Sequence, residues 1–175
     1  MHRRETKFAV NARPDELWRF IRDFQSLCTC IPGVERISLV DDRTAELTVK
    51  EKIGVVPLIV NLTAQIDSEE PPHRLHATAR AEHLTMVIDV TLQETESGTE
   101  LLGLINVMGK GPLKPIVDRL FERRATERTA QFADCLEKRF GAVSSGSAAA
   151  QIRGAPGLAR QCAGRISRWL NRLRQ

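Results

Sequence analysis

The chain has 175 residues, of which 42% are hydrophobic and 27% charged, a composition that excludes wholesale disorder. Its longest apolar run, from Val55 to Val60, is interrupted by Pro57, which excludes a membrane-spanning helix of about 20 apolar residues. The net charge of +4 is unevenly spread: residues 141–175 hold six arginines and no acidic residue, so the other 20 basic and 22 acidic residues give residues 1–140 a net charge of −2.

The first part of the chain begins with a strand and two short helices. Phe8, Val10 and Ala12 recur at every second position in a first strand, and Pro14 then opens a helix whose first turn is acidic. A second helical turn over residues 23–30 ends at the loop Pro32-Gly33.

Six further strands are predicted, because apolar residues then recur at every second position, as in a sheet with one buried face. In chain order the apolar positions are Ile37 and Leu39; Ala45, Leu47 and Val49; Leu58, Val60, Leu62, Ala64 and Ile66; Leu75, Ala77, Ala79 and Ala81; Met86, Ile88, Val90 and Leu92; and, in the last strand, either Leu101, Ile105 and Val107 or Leu102, Leu104 and Met108. The pattern leaves the register of the last strand open.

One long helix of about 28 residues is predicted from Gly111-Pro112 to Phe140, because apolar residues recur there at helical spacing. The element order predicts an α+β fold in which a curved antiparallel seven-stranded sheet wraps a long C-terminal helix. Such a sheet leaves a hollow unless large side chains fill it, and the chain has no Tyr and only 5% aromatic residues.

We therefore expect an apolar ligand cavity, the alternative being a solid core with small residues in close helix contact. The predicted lining, chosen by inward alternation and the first turns of the helix, is Val49, Leu62, Ile66, Ala77, Ala79, Met86, Ile88, Val90, Ile105, Ile116, Leu120 and Phe121. Arg124 and Arg128 follow on the same helix near Val117 and Leu120, and we expect their long side chains to extend to water rather than to bind a ligand's polar head.

Composition changes after Phe140, where small residues predict a flexible linker over 141–157. Residues 158–175 are predicted to form a basic amphipathic helix, with apolar residues on one arc and arginines flanking and opposing it. Such a helix is typical of an interfacial membrane contact, whose predicted residues are Leu158, Arg160, Arg165, Ile166, Arg168, Trp169, Leu170, Arg172 and Leu173. A helix docked on the domain or on a partner protein, or a solvated tail, is the alternative.

Several short motifs carry a family resemblance. They are Cys30-Ile31-Pro32-Gly33-Val34-Glu35, Lys52-Ile53-Gly54, Glu70-Pro71-Pro72, Gly98-Thr99-x-Leu101 and Val107-x-Gly109. In this order they resemble the G-subunit family of carbon monoxide dehydrogenase, within the START-like (SRPBCC) helix-grip superfamily, over about residues 6–140. The resemblance implies residues 1–140 to be a START-like helix-grip ligand-binding domain. It further implies a non-catalytic accessory protein that associates with a molybdenum-containing carbon monoxide dehydrogenase or related hydroxylase, helps attach it to the cytoplasmic membrane, and carries a quinone-like or lipid-like molecule.

Other functions have weaker support in the residues. An enzyme of the same superfamily, cyclase or hydrolase-like, would need titratable groups converging in the cavity, and none is identified; a structural adaptor with a filled core is a third possibility. No catalytic residue and no obligatory cofactor is predicted. A metal site is not predicted either, because His73 and His76 point to opposite faces of a strand. Binding of nucleic acid by the tail is disfavoured, since the apolar side of the predicted tail helix would have nothing to contact along a phosphate backbone.

Features of the N-terminus and the cysteines bear on localisation. No export signal is recognised at the N-terminus, and the four cysteines are expected to be reduced thiols. We therefore expect a cytoplasmic protein that lies peripherally on the inner face of the cytoplasmic membrane.

Overall fold

The computed structural model describes residues 2–53 and 55–143 of the chain. Within them the elements are β1 (His2–Val10), α1 (Pro14–Arg22), α2 (Phe24–Cys28), β2 (Val34–Leu39), β3 (Thr44–Ile53), β4 (Val56–Glu70), β5 (Arg74–Ala81), β6 (Leu84–Thr95), β7 (Gly98–Gly109), a 3-10 turn (Gly111–Leu113) and α3 (Lys114–Phe140). The predicted tail helix and residues 144–157 of the predicted linker lie outside the described residues.

The seven strands form one antiparallel sheet in the order β1-β7-β6-β5-β4-β3-β2. Helix α3 packs against β1 and β7, at one edge of that sheet. The predicted α+β architecture is therefore confirmed. The register of β7 is also settled, because Leu101 and Val107 are buried while Met108 is exposed. We call the face that carries Leu101 and Val107 the inner face.

The buried core fills one end of the interior, which we call the closed end. There Leu17 of α1, Leu92 of β6 and Leu136 of α3 pack with Trp18, Phe20 and neighbouring residues into one cluster. A second cluster, around Leu47 of β3, lies under α2. The opposite end, which we call the open end, holds the β3–β4 turn, the β5–β6 turn, the end of β7 and the start of α3.

The loop between α2 and β2 depends on Gly33. Its φ of +86° is rarely adopted by residues with a side chain, and a Cβ atom there would lie 2.8 Å from the Lys50 carbonyl oxygen. The Lys50 amide in turn donates to the Gly33 carbonyl oxygen at 2.8 Å. Only glycine lets this loop approach β3 so closely.

Two cysteines differ from the expectation of reduced thiols. The structure joins Cys30, beside the Pro32-Gly33 loop, to Cys135 of α3 in a disulfide, with their Cα atoms 5.5 Å apart. The expectation was wrong for this pair, because a sequence separation of 105 residues hides their proximity. Cys28 is a buried thiol, and burial raises its pKa to about 11. The cysteines therefore give no support to a reducing compartment.

Helix α1 is tied to the sheet by a network around Glu69. Arg22 donates to one Glu69 carboxylate oxygen at 2.6 Å and Arg43 to the other at 3.0 Å. Burial by itself raises the pKa of Glu69, but the two arginine hydrogen bonds outweigh burial and hold the pKa below its usual value. The network therefore stabilises the fold only while Glu69 is ionised.

We expect Gly33→Ala to lower the free energy of unfolding by about 1 to 3 kcal/mol, because it combines backbone strain with a clash against Lys50. Gly111→Ala is the matched control, since Gly111 also has a positive φ, of +60°, but an added Cβ would meet nothing within 4 Å. Urea unfolding of both variants measures the difference. Equal losses would show that the Lys50 contact contributes nothing.

We expect Glu69→Gln to lower the free energy of unfolding by about 2 kcal/mol at neutral pH, the size of a partly buried charged hydrogen bond. A depressed pKa gives stability that is present above the unfolded-state pKa and is lost as the pH falls through the folded-state pKa. The difference between wild type and variant should therefore shrink below about pH 4. A difference that stays constant from neutral pH to about pH 3 in urea titrations would contradict this assignment.

Candidate functional site

Burial along the inner face falls toward the open end in β6 and in α3, although Ala79 of β5 and Val107 of β7 stay buried there. In β6, Leu92 is 2% exposed, whereas Met86, Ile88 and Val90 are only half-buried. Helix α3 shows the same gradient, because Leu136 is buried while Leu120 near its start is half-buried. Apolar side chains between the sheet and the first turns of α3 are therefore not fully buried by the protein itself.

The strand residues predicted to line a cavity share this inner face. The register aligns Ile66, Ala77, Ile88 and Ile105 in one row across β4, β5, β6 and β7. Of the predicted set, Val49, Ile66 and Ala79 are buried by the protein itself, and Ile116 is exposed. The half-buried members are Leu62, Ala77, Met86, Ile88, Val90, Ile105, Leu120 and Phe121. Whether they bind a ligand stays a prediction.

A cleft of about 330 Å³ lies on the β3 side of α3. The loop after α2, the end of β3 and one face of α3 form its walls, which are lined by Pro32, Gly33, Val34, Glu35, Lys50, Glu51, Lys52, Arg124, Glu127, Arg128 and Gln131. None of the twelve predicted lining residues borders this cleft. Its side chains are mostly charged, so they form a polar rim and not the mostly apolar lining that is typical of a small-molecule site.

Arg128 crosses this rim and joins α3 to the far side of the sheet. Its guanidinium forms an ion pair with Glu51 of β3 and donates to the Pro32 carbonyl oxygen at 3.1 Å. Burial lowers the pKa of Arg128. The expectation that both helix arginines extend to water is therefore wrong for Arg128, whereas Arg124 is paired with Glu127 at 2.7 Å near the surface.

Polar residues on the inner face of β1 were missed from the sequence. His2 lies 3.3 Å from Asp118 and 3.2 Å from Glu122 of α3, and Arg4 donates to the Thr126 hydroxyl at 3.1 Å. Hydrogen bonding from Lys114, and secondarily from His2, holds the pKa of Asp118 below its usual value. Extending the alternation of Phe8 and Val10 back to residue 2 would have placed these side chains under α3.

A second cleft, of about 590 Å³, lies at the closed end between α1 and the end of α3. The Arg139 guanidinium lies 4.7 Å above the Phe20 ring there, and Phe140 packs edge-on against the same ring. This contact holds the end of α3 on α1. It is separate from the half-buried inner face.

Titratable groups elsewhere in the described residues form no metal-binding cluster of three or more His, Cys, Asp or Glu side chains. His76 and Asp89 form a contact of 2.5 Å on the outer face of the sheet, away from the interior. In the same part of the chain, no helix has the length and hydrophobicity to cross a bilayer.

Comparisons with solved structures support the fold. A conserved protein from Geobacillus kaustophilus is 16% identical, with a TM-score of 0.63 over 78% of this chain and 91% of that one. A START superfamily protein from Mycobacterium smegmatis is 15% identical, also with a TM-score of 0.63, over 80% of this chain and 97% of that one. A protein from Chromobacterium violaceum is 15% identical, with a TM-score of 0.60 over 81% and 99% of the two chains. The chain therefore has a START-like fold.

No curated protein sequence matches the chain significantly. The sequence profile of the CoxG family, the G subunit of carbon monoxide dehydrogenase, however, matches residues 7–141, which span nearly the whole described domain. The family resemblance seen in the short motifs is thereby confirmed. The chain belongs to the CoxG family of carbon monoxide dehydrogenase, a family of accessory subunits whose START-like fold is typical of binding domains.

Proposed function

We propose that the protein is a non-catalytic accessory subunit that binds an apolar, quinone-like or lipid-like molecule between the inner face of the sheet and α3. The observation that carries the proposal is the fall in burial along β6 and α3. Core side chains fill the closed end, while Met86, Ile88 and Val90 of β6 and Leu120 of α3 are only half-buried. A partly covered apolar surface edged by charged residues matches the general form of a small-molecule site.

The tail supplies the proposed membrane contact. Residues 158–175 contain arginines as their only charged side chains and place Trp169, Leu170 and Leu173 on the apolar arc of a helix. Each arginine near an anionic membrane contributes about 1 kcal/mol of attraction, and the apolar arc adds burial in the interface. The protein would thus lie peripherally on the inner face of the cytoplasmic membrane.

Family membership supports the proposed partner, a molybdenum enzyme of the carbon monoxide dehydrogenase type. Family membership does not specify the partner's own substrate. A membrane-bound accessory subunit that holds a quinone-like molecule would bring an electron acceptor close to such an enzyme.

An enzymatic function in the described domain has less support. The charged residues near the interior are engaged with one another, as Arg128 is with Glu51 and Arg124 with Glu127. On the β1 side, His2 lies between two carboxylates of α3, on the strand that the helix covers. These groups join α3 to the sheet rather than converge on the half-buried apolar residues.

We expect Ala79→Phe to reduce binding of a short-chain quinone analogue at least tenfold, because Ala79 lies between Ala64 and Met86 on the inner face, where a phenyl ring would occupy the interior. Thr78→Phe is the matched control, since the Thr78 side chain lies on the outer face. Native mass spectrometry measures binding, and urea unfolding confirms that both variants fold. Unchanged binding by folded Ala79→Phe would contradict the proposed site.

We expect the full chain to co-sediment with vesicles containing phosphatidylglycerol at low salt and to be released at high salt, since the tail attraction is electrostatic. A chain ending at Val143 should bind these vesicles less than the full chain does. This truncation keeps the hydrogen bond from the Gly141 amide to the Glu137 carbonyl oxygen, at 2.8 Å, so the end of α3 is preserved. Replacing Arg165, Arg168 and Arg172 by Gln in the full chain should have the same effect. Binding that survives these replacements would remove the tail's proposed role.

A further inference from the structure

The exposed large apolar side chains of the described domain are concentrated at the open end. Four of the six lie there, namely Val55, Ile59, Met108 and Ile116, and the other two, Leu39 and Val40, are neighbours at the β2–β3 turn. Val55 is 96% exposed and Ile59 61% exposed. Single exposed apolar residues are ordinary, but a group of them at one end of a domain indicates a contact surface.

The β3–β4 hairpin carries Val55 well beyond the rest of the sheet. Pairing of β4 with β5 ends at Thr63 and Arg80, and pairing of β3 with β2 ends at Val49. Residues 56–62 of β4 therefore extend past the end of β5. At the rise of a strand, this segment is about 20 Å long. Val55, in the turn, is the tip of this projection.

The start of α3 forms the opposite side of the open end. A Cβ atom on Gly109 would lie 2.9 Å from the Lys114 Cα, so the chain turns tightly from β7 into the helix. Ile116, 39% exposed, follows within the first helical turn. It lies on the same i, i+4 row as Leu120 and Arg124, and Arg124 borders the cleft shared with Lys52 of the hairpin.

The charges at this end favour an anionic partner. Lys52 on the hairpin and Lys110 before α3 take part in no ion pair within the described residues. Of the acidic side chains at the same end, Glu51 pairs with Arg128 and Asp118 with Lys114, whereas Glu82 and Glu122 contact histidines only. Apolar side chains beside unpaired lysines are the combination that binds a bilayer interface with anionic headgroups.

We infer that the open end of the domain docks on an anionic lipid bilayer, with Val55 and Ile116 buried among the headgroups and Lys52 and Lys110 against lipid phosphates. This inference rests on the proposed function and extends it. The proposed function assigns the membrane contact to the tail alone, and here the domain adds a second contact. Docking in this orientation turns the open end of the interior toward the membrane. An apolar ligand could then pass between bilayer and interior with little exposure to water.

The test places a tryptophan at the hairpin tip of the full chain. Val55→Trp is prepared in a Trp169→Phe background, so that the tail does not fluoresce, and the buried Trp18 is common to all variants. Val40→Trp is the matched control, because Val40 is a 60% exposed valine at the opposite end of β3. Vesicles of phosphatidylglycerol and phosphatidylcholine with brominated acyl chains quench tryptophans that enter the bilayer.

We expect the fluorescence of Val55→Trp to shift to the blue and to be quenched by these vesicles, with Val40→Trp unaffected. Val55→Asp should weaken vesicle binding about tenfold, the loss expected when one buried valine is replaced by a charge, while Val40→Asp has little effect. Equal behaviour of the two positions would overturn the inference. If the native Trp169 is quenched while a tryptophan at 55 is not, the tail alone holds the membrane, and the proposed function survives without this surface.

Discussion

The packing of α3 on one edge of the sheet is the interaction on which the rest of the structure depends. The helix lies over β1 and β7, and its C-terminal half completes the core through Leu136 and Phe132. Its N-terminal half leaves the inner faces of the middle strands only partly covered. A sheet of seven curved strands is too wide for one helix to cover, so the apolar interior is closed at one end only.

Polar contacts keep the helix over this partly filled interior. On the β1 side, His2 and Arg4 contact acidic and hydroxyl groups of α3, and on the far side Arg128 reaches Glu51 and the Pro32 carbonyl. The disulfide between Cys30 and Cys135 joins the same loop to the helix about two turns further along. The helix is therefore fixed to the domain at both margins.

Charge and hydrophobicity divide the protein along its length. The described domain buries its largest apolar cluster near α1, exposes apolar side chains at the hairpin tip and the start of α3, and leaves lysines unpaired beside them. The strongly basic segment follows in sequence after the domain. The proposed interior site for an apolar molecule and the two proposed membrane contacts would suit a protein that works at a membrane.

The sequence alone determined the element order, the α+β class and the inner face of most strands, because a period of two or 3.6 is a local property of the backbone. Val49, Ile66 and Ala79 could be placed inward from their alternation. The Cys30–Cys135 bond, the inward turn of Arg128 and the register of β7 could not, since each depends on residues distant in sequence or on which face α3 covers. Tertiary structure alone decided which apolar residues are consumed by the core and which stay half-buried, because burial depends on where one helix lies across seven strands.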